Sequence, residues 1–400
     1  AGFMGSAVVA SNQDIRAIVN VTNRKAGDYG VDGGLAAAQY QGMNAGDYTL
    51  NFPLAKNDFY GKTTTFYIQN ADSQAASADV TFFAGSSSFS YTTPPIAPGA
   101  MVAVSPSDAG MGSGNSDGLG SMQVTSSALL AGVVLEHRTT DNPATLLQAT
   151  RGFTTSDADV TVFAPIIKNT FYNRFTGLQV QNVSGGPVDI EVTYSTSCAG
   201  GPFVDTATAV PDGTSYTFVH LGSSTDLPAN CLAAATVEAT GGVVAIVNES
   251  FIPGYSGNQE STTYSALPDG VATAKVSVPL YKEDSYGKWT GLQVQNVGSA
   301  DATDVVLTFS GATGTYVSNP LTIAAGAAMT FVDVRLKPAS FWDGTAMPTC
   351  AATGCGGNGV FGVTVEADQN VVAIANESPY PKAATPVSQD KNNYEGFNLP

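Results

Sequence analysis

The sequence predicts an all-β protein: three tandem immunoglobulin-like β-sandwich modules, preceded by an N-terminal β-hairpin and followed by an extended C-terminal tail. Three observations lead there. One hexapeptide recurs, Gly177 to Asn182 (GLQVQN) and Gly291 to Asn296 (GLQVQN), with a degenerate copy at Thr65 to Asn70 (TFYIQN). A proline followed three residues later by lysine keeps the same spacing, at Lys56, Lys168 and Lys282, as does a glycine before a strand at Gly99, Gly213 and Gly326. Between these markers apolar and polar residues alternate in short runs cut by Gly, Pro, Asn and Asp, the pattern of half-buried strands, with no sustained helical period.

In chain order, residues 1–25 form a partial module. Ala7 to Asn20 (AVVASNQDIRAIVN) matches Val363 to Asn376 (VTVEADQNVVAIAN), so the chain opens with the last two strands of a module whose first five are absent. Those five were removed, or another chain provides them. Modules at 50–148, 160–250 and 275–378 follow. The middle one reads as seven strands: 162–167, 176–183, 188–194, 205–210, 215–220, 233–239 and 243–248. A tight turn is expected between the last two, at Ala239 to Gly242 and again at Ala367 to Asn370, where Gly, Asn and Asp supply positive φ. Related spacers follow each module, at Tyr40 to Met43, Arg151 to Phe153, Tyr264 to Leu267 and Tyr394 to Phe397. Residues 379–400 read as an extended tail.

Composition narrows the function. Sixteen Lys and Arg against 33 Asp and Glu give a net charge of −17, which cannot build a phosphate-tracking surface, so nucleic acid is excluded as a partner. The apolar runs are far shorter than the ~20 residues of a membrane-spanning helix. The start at Ala1, without a basic n-region, fits a mature exported chain or a fragment of something longer.

The hexapeptide strand, the P-x-x-K strand, the terminal A-I-[VA]-N hairpin and the [YF]-x-G spacer together resemble tandem-repeat envelope and secreted proteins of the Chloroflexi type. The resemblance implies an exported sandwich-repeat surface protein with no catalytic residues to carry over. Module 1 departs from the pattern, with Phe66-Tyr67 for Leu-Gln and Glu136-His137 for Asn248-Glu249.

Cys198 and Cys231 lie in one module and Cys350 and Cys355 in one loop of another, so two intramodular disulfides are expected, and no metal. The two histidines, His137 and His220, have no partner set for acid–base work, and no catalytic or cofactor-binding residue is expected. Gly112 to Gly120 is glycine-rich but precedes a strand, so it reads as a solvated loop. Gln179, Gln181, Gln293 and Gln295 read as a polar outer sheet face, with sugar or a neighbouring subunit as the alternative. The three repeated lysines read as exposed; the competing expectation is a Lys–Asn isopeptide cross-link to Asn248 or Asn376. Four N-x-S/T sequons, at Asn20, Asn182, Asn248 and Asn376, are candidate glycan acceptors.

The leading expectation is a structural subunit of an extracellular filament or cell-surface layer. It polymerises with itself head to tail, using Val9, Ile15 and Ile18 at one end and Tyr394 and Phe397 at the other. The rival is an adhesin or binder of surface glycans that uses exposed Tyr, Trp and Gln, with Trp289 and Trp342 as candidates. A further alternative treats both ends as cuts in a longer repeat array.

Overall fold

A computed structural model describes residues 5–13, 15–23, 36–138, 147–196, 198, 200–253, 261–285, 287–350, 354–379 and 392–399. It is β throughout apart from single helical turns. Strands gather into three large sheet systems, spanning 47–151, 159–268 and 273–398, plus the pair Ile18–Asn23 and Ala36–Gln41. Each large system encloses its own apolar cluster, so the chain is built of β modules.

The middle module shows the plan. One layer runs Phe203–Val210, Val188–Thr196, Cys231–Phe251, Asp159–Asn169, Leu267–Pro268; the other runs Ser215–Val219, Arg174–Asn182, Cys231–Phe251, Ser261–Ser265. Cys231–Phe251 belongs to both. Its first half pairs with Asp159–Asn169 and Val188–Thr196, and its second half with Arg174–Asn182 and Ser261–Ser265. We call it the long strand. Leu119–Arg138 and Val360–Pro379 do the same in the first and third modules.

This corrects the expected terminal hairpin. Ala239 to Gly242 and Ala367 to Asn370 are not turns but the places where the strand passes from one layer into the other. Their polar side chains serve the neighbouring strand instead: Thr240 Oγ1 accepts from the Asp189 N–H at 3.0 Å, and Asp368 Oδ1 accepts from the Thr303 N–H at 3.0 Å. Both segments interrupt the apolar alternation with polar residues or glycine, as a turn would, so the sequence pattern does not distinguish a crossing from a turn.

The N-terminal expectation changes for the same reason. The described residues among 7–20 form no hairpin. Ile18–Asn23 alone is strand, and it pairs with Ala36–Gln41 in the register Ile18 to Gln41, as Ile374 pairs with Glu395. The segment therefore corresponds to one long strand, with Ile18 equivalent to Val133, Ile246 and Ile374.

The spacers are strands as well. Leu147–Arg151, Ser261–Ser265 and Asn392–Glu395 each pair with the second half of their own long strand. The region read as an extended tail is thus partly sheet: Phe397–Asn398 also pairs with the third module's first strand, Thr273–Lys282. Tyr394 is buried in that core, and its hydroxyl donates to the Leu280 carbonyl and accepts from the Leu280 N–H. Tyr264 clasps both backbone groups of Ile166 in the same way. The glycine-rich segment holds one helical turn, Gly114–Asp117, tied down by Asn115 Oδ1 accepting from the Tyr60 N–H at 2.7 Å.

Cys198 is bonded to Cys231 with Cα atoms 6.1 Å apart, and Cys350 to Cys355 at 4.9 Å. The first closes a loop of separation 33, so replacing both partners with alanine should cost the second module about 3–4 kcal/mol in the chain-entropy account. Denaturant unfolding of the double variant measures this, with the other two modules unchanged.

Candidate functional site

The lysines that repeat along the sequence are not exposed. Lys56 Nζ lies 2.8 Å from Glu136, Lys168 Nζ 2.5 Å from Glu249 and Lys282 Nζ 2.6 Å from Glu377, and all three carboxylates are buried. Lys62 (3.5 Å) and Arg174 (2.8 Å) bring a second cation to Glu136 and Glu249. A threonine sets the geometry, because Thr64, Thr176 and Thr290 each accept the backbone N–H of the repeated lysine.

Register shows that Glu136 is equivalent to Glu249 and Glu377, since each lies opposite its threonine across the sheet. The first module therefore keeps the pattern rather than departing from it. The lysines' partner is this glutamate, one residue after the asparagine considered for a cross-link; Asn248 instead donates to Gln179 Oε1 at 3.2 Å.

Burial alone would raise the Glu136 carboxyl, but Lys56 and Lys62 beside it hold it below the usual carboxylate range. One carboxylate neutralises one ammonium fully. Lys56 is the closer, and burial together with the Lys56 charge pushes Lys62 down to about 8. Removing the anion leaves buried cations uncompensated, so Glu249→Gln should destabilise the second module by about 3–5 kcal/mol, read by chemical denaturation.

The amide face expected to meet water is buried between modules. Gln181 Nε2 donates to the Met122 carbonyl of the preceding module at 3.3 Å and to Gly213 at 3.0 Å. Gly213 also accepts from Ser121 Oγ at 2.7 Å, and Ser215 Oγ reaches the Pro53 carbonyl at 2.8 Å. Only glycine fits at 213, where φ is +76° and a Cβ would stand 2.5 Å from the Phe83 ring. Val244 and Ile246 close this joint against Leu54 and Phe153. The next joint repeats it: Val372 and Ile374 join the cluster that holds Ile166 and Leu267.

The four spacer strands meet around one axis. Ala36–Gln41 lies beside Leu147–Arg151, that beside Ser261–Ser265, that beside Asn392–Glu395, and the last beside the first, which closes the circuit. Gln148 donates to Ser261 Oγ, Asn393 Nδ2 to Thr262 Oγ1 at 2.9 Å, and Gln41 Nε2 to the Glu395 carbonyl at 2.8 Å. Gln39, Gln148, Thr263 and Asn393 line a central cavity of about 10 Å³, the space of one water molecule.

His220 sits sealed in the second core. Its Nε2 meets the Tyr194 hydroxyl at 2.8 Å and its Nδ1 the Thr176 carbonyl at 3.0 Å; Tyr194 in turn donates to Asp205 at 2.8 Å. In the third module a cleft of about 300 Å³ lies beside Glu283, Arg335 and the Cys350–Cys355 bond. Glu283 is buried, accepts from Tyr281 at 2.9 Å and from the Val334 N–H at 2.7 Å, and has Arg335 at 3.7 Å. Among the described residues no cluster of three His, Cys, Asp or Glu is arranged for a metal ion. Among the described residues no helix is long and apolar enough to cross a membrane.

Of the other singled-out residues, Trp342 is core and Trp289 half-buried, so neither offers an open aromatic platform. Asn182 is enclosed, with its amide donating to Gly186 and Val210 carbonyls, and Asn248 is buried; neither sequon is open to a glycan in the folded chain. Asn20 is exposed and Asn376 half-buried. Val9 and Ile15 are exposed, whereas Ile18 packs on the third core; Tyr394 and Phe397 are buried in their own module.

Two groups make stability pH-dependent in opposite senses. Burial pushes His220 down to about 4, so its contribution is full above its ordinary value of 6.5 and is lost as pH falls toward 4. Burial raises Glu283 to about 7, so its contribution is full below 4.5 and is lost as pH rises through 7. Each is worth on the order of 2–3 kcal/mol. Hydrogen exchange between pH 7 and 4.5, corrected for intrinsic rates, should show the second module loosening and the third tightening, and Glu283→Gln should flatten the third.

The chain matches no known family and no curated protein. Among solved structures it is similar to the crystal structure of Thermotoga maritima 1070, at 19% identity and a TM-score of 0.24, over 28% of this chain and 97% of that one; a likeness this low bears on neither fold nor function.

Proposed function

We propose that this chain is a non-enzymatic structural subunit of an extracellular filament or cell-surface layer, one that associates with further chains of its kind. The observation that carries the reading is the recurring joint: the same outward face of the long strand is covered by the preceding module twice over, through Val244 and Ile246 and then through Val372 and Ile374. Such a joint makes one rigid unit from a repeated sequence. The two disulfides support an oxidising compartment. The one deeply buried histidine bonds only its own module's groups, which suits a core role.

Association draws on the N-terminal segment and not on the tail. Tyr394 and Phe397 are spent within the third module, while Val9 and Ile15 are bare. Sedimentation and electron microscopy of the purified chain test this: concentration-dependent assemblies are expected, and Val9→Asp with Ile15→Asp should abolish them with the modules still folded. A wild-type chain that stays monomeric at all concentrations defeats the reading.

Glycan binding retains one observation in its favour. Tyr60 and Tyr172 project from equivalent turns, 69% and 79% exposed, each at a φ of +50° and edge-on to the preceding phenylalanine. Loss of glycan-array signal in Tyr60→Ala with Tyr172→Ala would establish it.

A further inference from the structure

Around the common axis three positions hold complete modules, and among the described residues the fourth holds only 5–13, 15–23 and the strand Ala36–Gln41. These sit as parts of a module. Ser6 Oγ donates to the Gly99 carbonyl at 2.9 Å, as Ser121 does to Gly213, and the Gly42 N–H donates to the Ala17 carbonyl at 2.9 Å, as Gly396 does to Ala373. Ile18 packs on the third module's cluster beside Leu280, where Ile374 packs on the second module's.

The core-facing side of this segment is bare. Val9 is 68% exposed, whereas its equivalents Val124, Val237 and Val365 are fully buried; Ile15 is 40% exposed, against buried Leu130, Val243 and Val371. Both flanking modules are also open on the side that faces it. Gln181 and Gln295 are buried but Gln69 is not, and Ala131 and Val133 are half-exposed where Val244, Ile246, Val372 and Ile374 are covered. On the far side Pro279 is exposed and Leu280 half-buried, whereas Pro53, Pro165, Leu54 and Ile166 are buried. Tyr40 stands in register with Tyr394 and Tyr264, which clasp the first strand of their modules, but here there is no such strand among the described residues.

We infer that this slot is filled by five more strands of the same repeat, connected to residue 5 as the first five strands of each complete module connect to their long strand, so that four modules close a ring. The occupant's chemistry is specified in one place. Val21 stands where Glu136, Glu249 and Glu377 hold the repeated lysine, so the arriving first strand carries an apolar residue at its lysine position. A second copy of this chain can cover this face but cannot complete the module, because its own five-strand sets are already built into complete modules. The inference refines the proposed association site by naming what completes it.

The test is a full chain with a copy of residues 155–230 fused ahead of Gly5, carrying Lys168→Met in the graft, and a parallel graft of residues 270–345 carrying Lys282→Met. Hydrogen exchange of residues 5–19 should slow by at least about 100-fold relative to the ungrafted chain. A graft that keeps its lysine should protect less. Val9→Asp should erase the gain, yet leave exchange of the ungrafted chain unchanged at concentrations where that chain is monomeric. Residues 5–19 exchanging equally fast with either graft overturn the inference, as does full protection in an ungrafted dimer, which would make a second copy the occupant. If assemblies of the ungrafted chain persist alongside unprotected grafts, the inference fails and the structural function stands.

Discussion

The second half of each long strand is apolar on both faces, and the rest of the architecture answers to that constraint. In the run Val243 to Val247 all five residues are buried, and so are Val371 to Ala375. A strand buried on both sides reads as a continuous apolar run. One face is met by the module's own core, but the other faces outward and needs a neighbour. Modules of this kind therefore cannot stand as separate beads, and the order of the chain fixes which neighbour does the covering.

The spacers gain their place from the same requirement. A strand that leaves one layer to enter the second needs a partner on its far edge, and the segment after each module supplies it. Tyr264 and Tyr394 lock that segment to the first strand with two backbone hydrogen bonds each. Small and polar side chains at the tips, Ala38, Thr262 and Asn393, then let four such strands come together around one axis.

Much of this was legible in the sequence. The cysteine placement pointed to both pairings, and alternation to the β class. The register of the charges was not legible, because Asn248-Glu249 and Asn376-Glu377 offer two adjacent partners and only cross-strand pairing selects the glutamate. Reading Glu136 against Asn248 shifted the first module by one residue, and on a strand such a slip exchanges the two faces. Gln179 and Gln181 misled for a related reason: alternation shows that they leave the core, but whether water or another module waits outside is a property of the array. The run Val243 to Val247 was the signal that could have decided it, since an outer face meeting water would not carry Val244 and Ile246.

The same signal separates the two ends of the chain. Ile15 to Val19 preserves the two-faced pattern with one change, Arg16 at the outward position of Val244 and Val372. Ile18 retains its outward contact on the third module, so that face is already engaged. What stays bare is the inward face, Val9 and Ile15, and an inward face is built to meet strands of its own module and not the polar surface of a foreign one. At the other end Tyr394 and Phe397 look adhesive in sequence only because their partners, Leu280 and Ser277, lie more than a hundred residues upstream. The asymmetry between a satisfied tail and an unsatisfied first strand is a difference in module completeness, and it directs association to one end of the molecule.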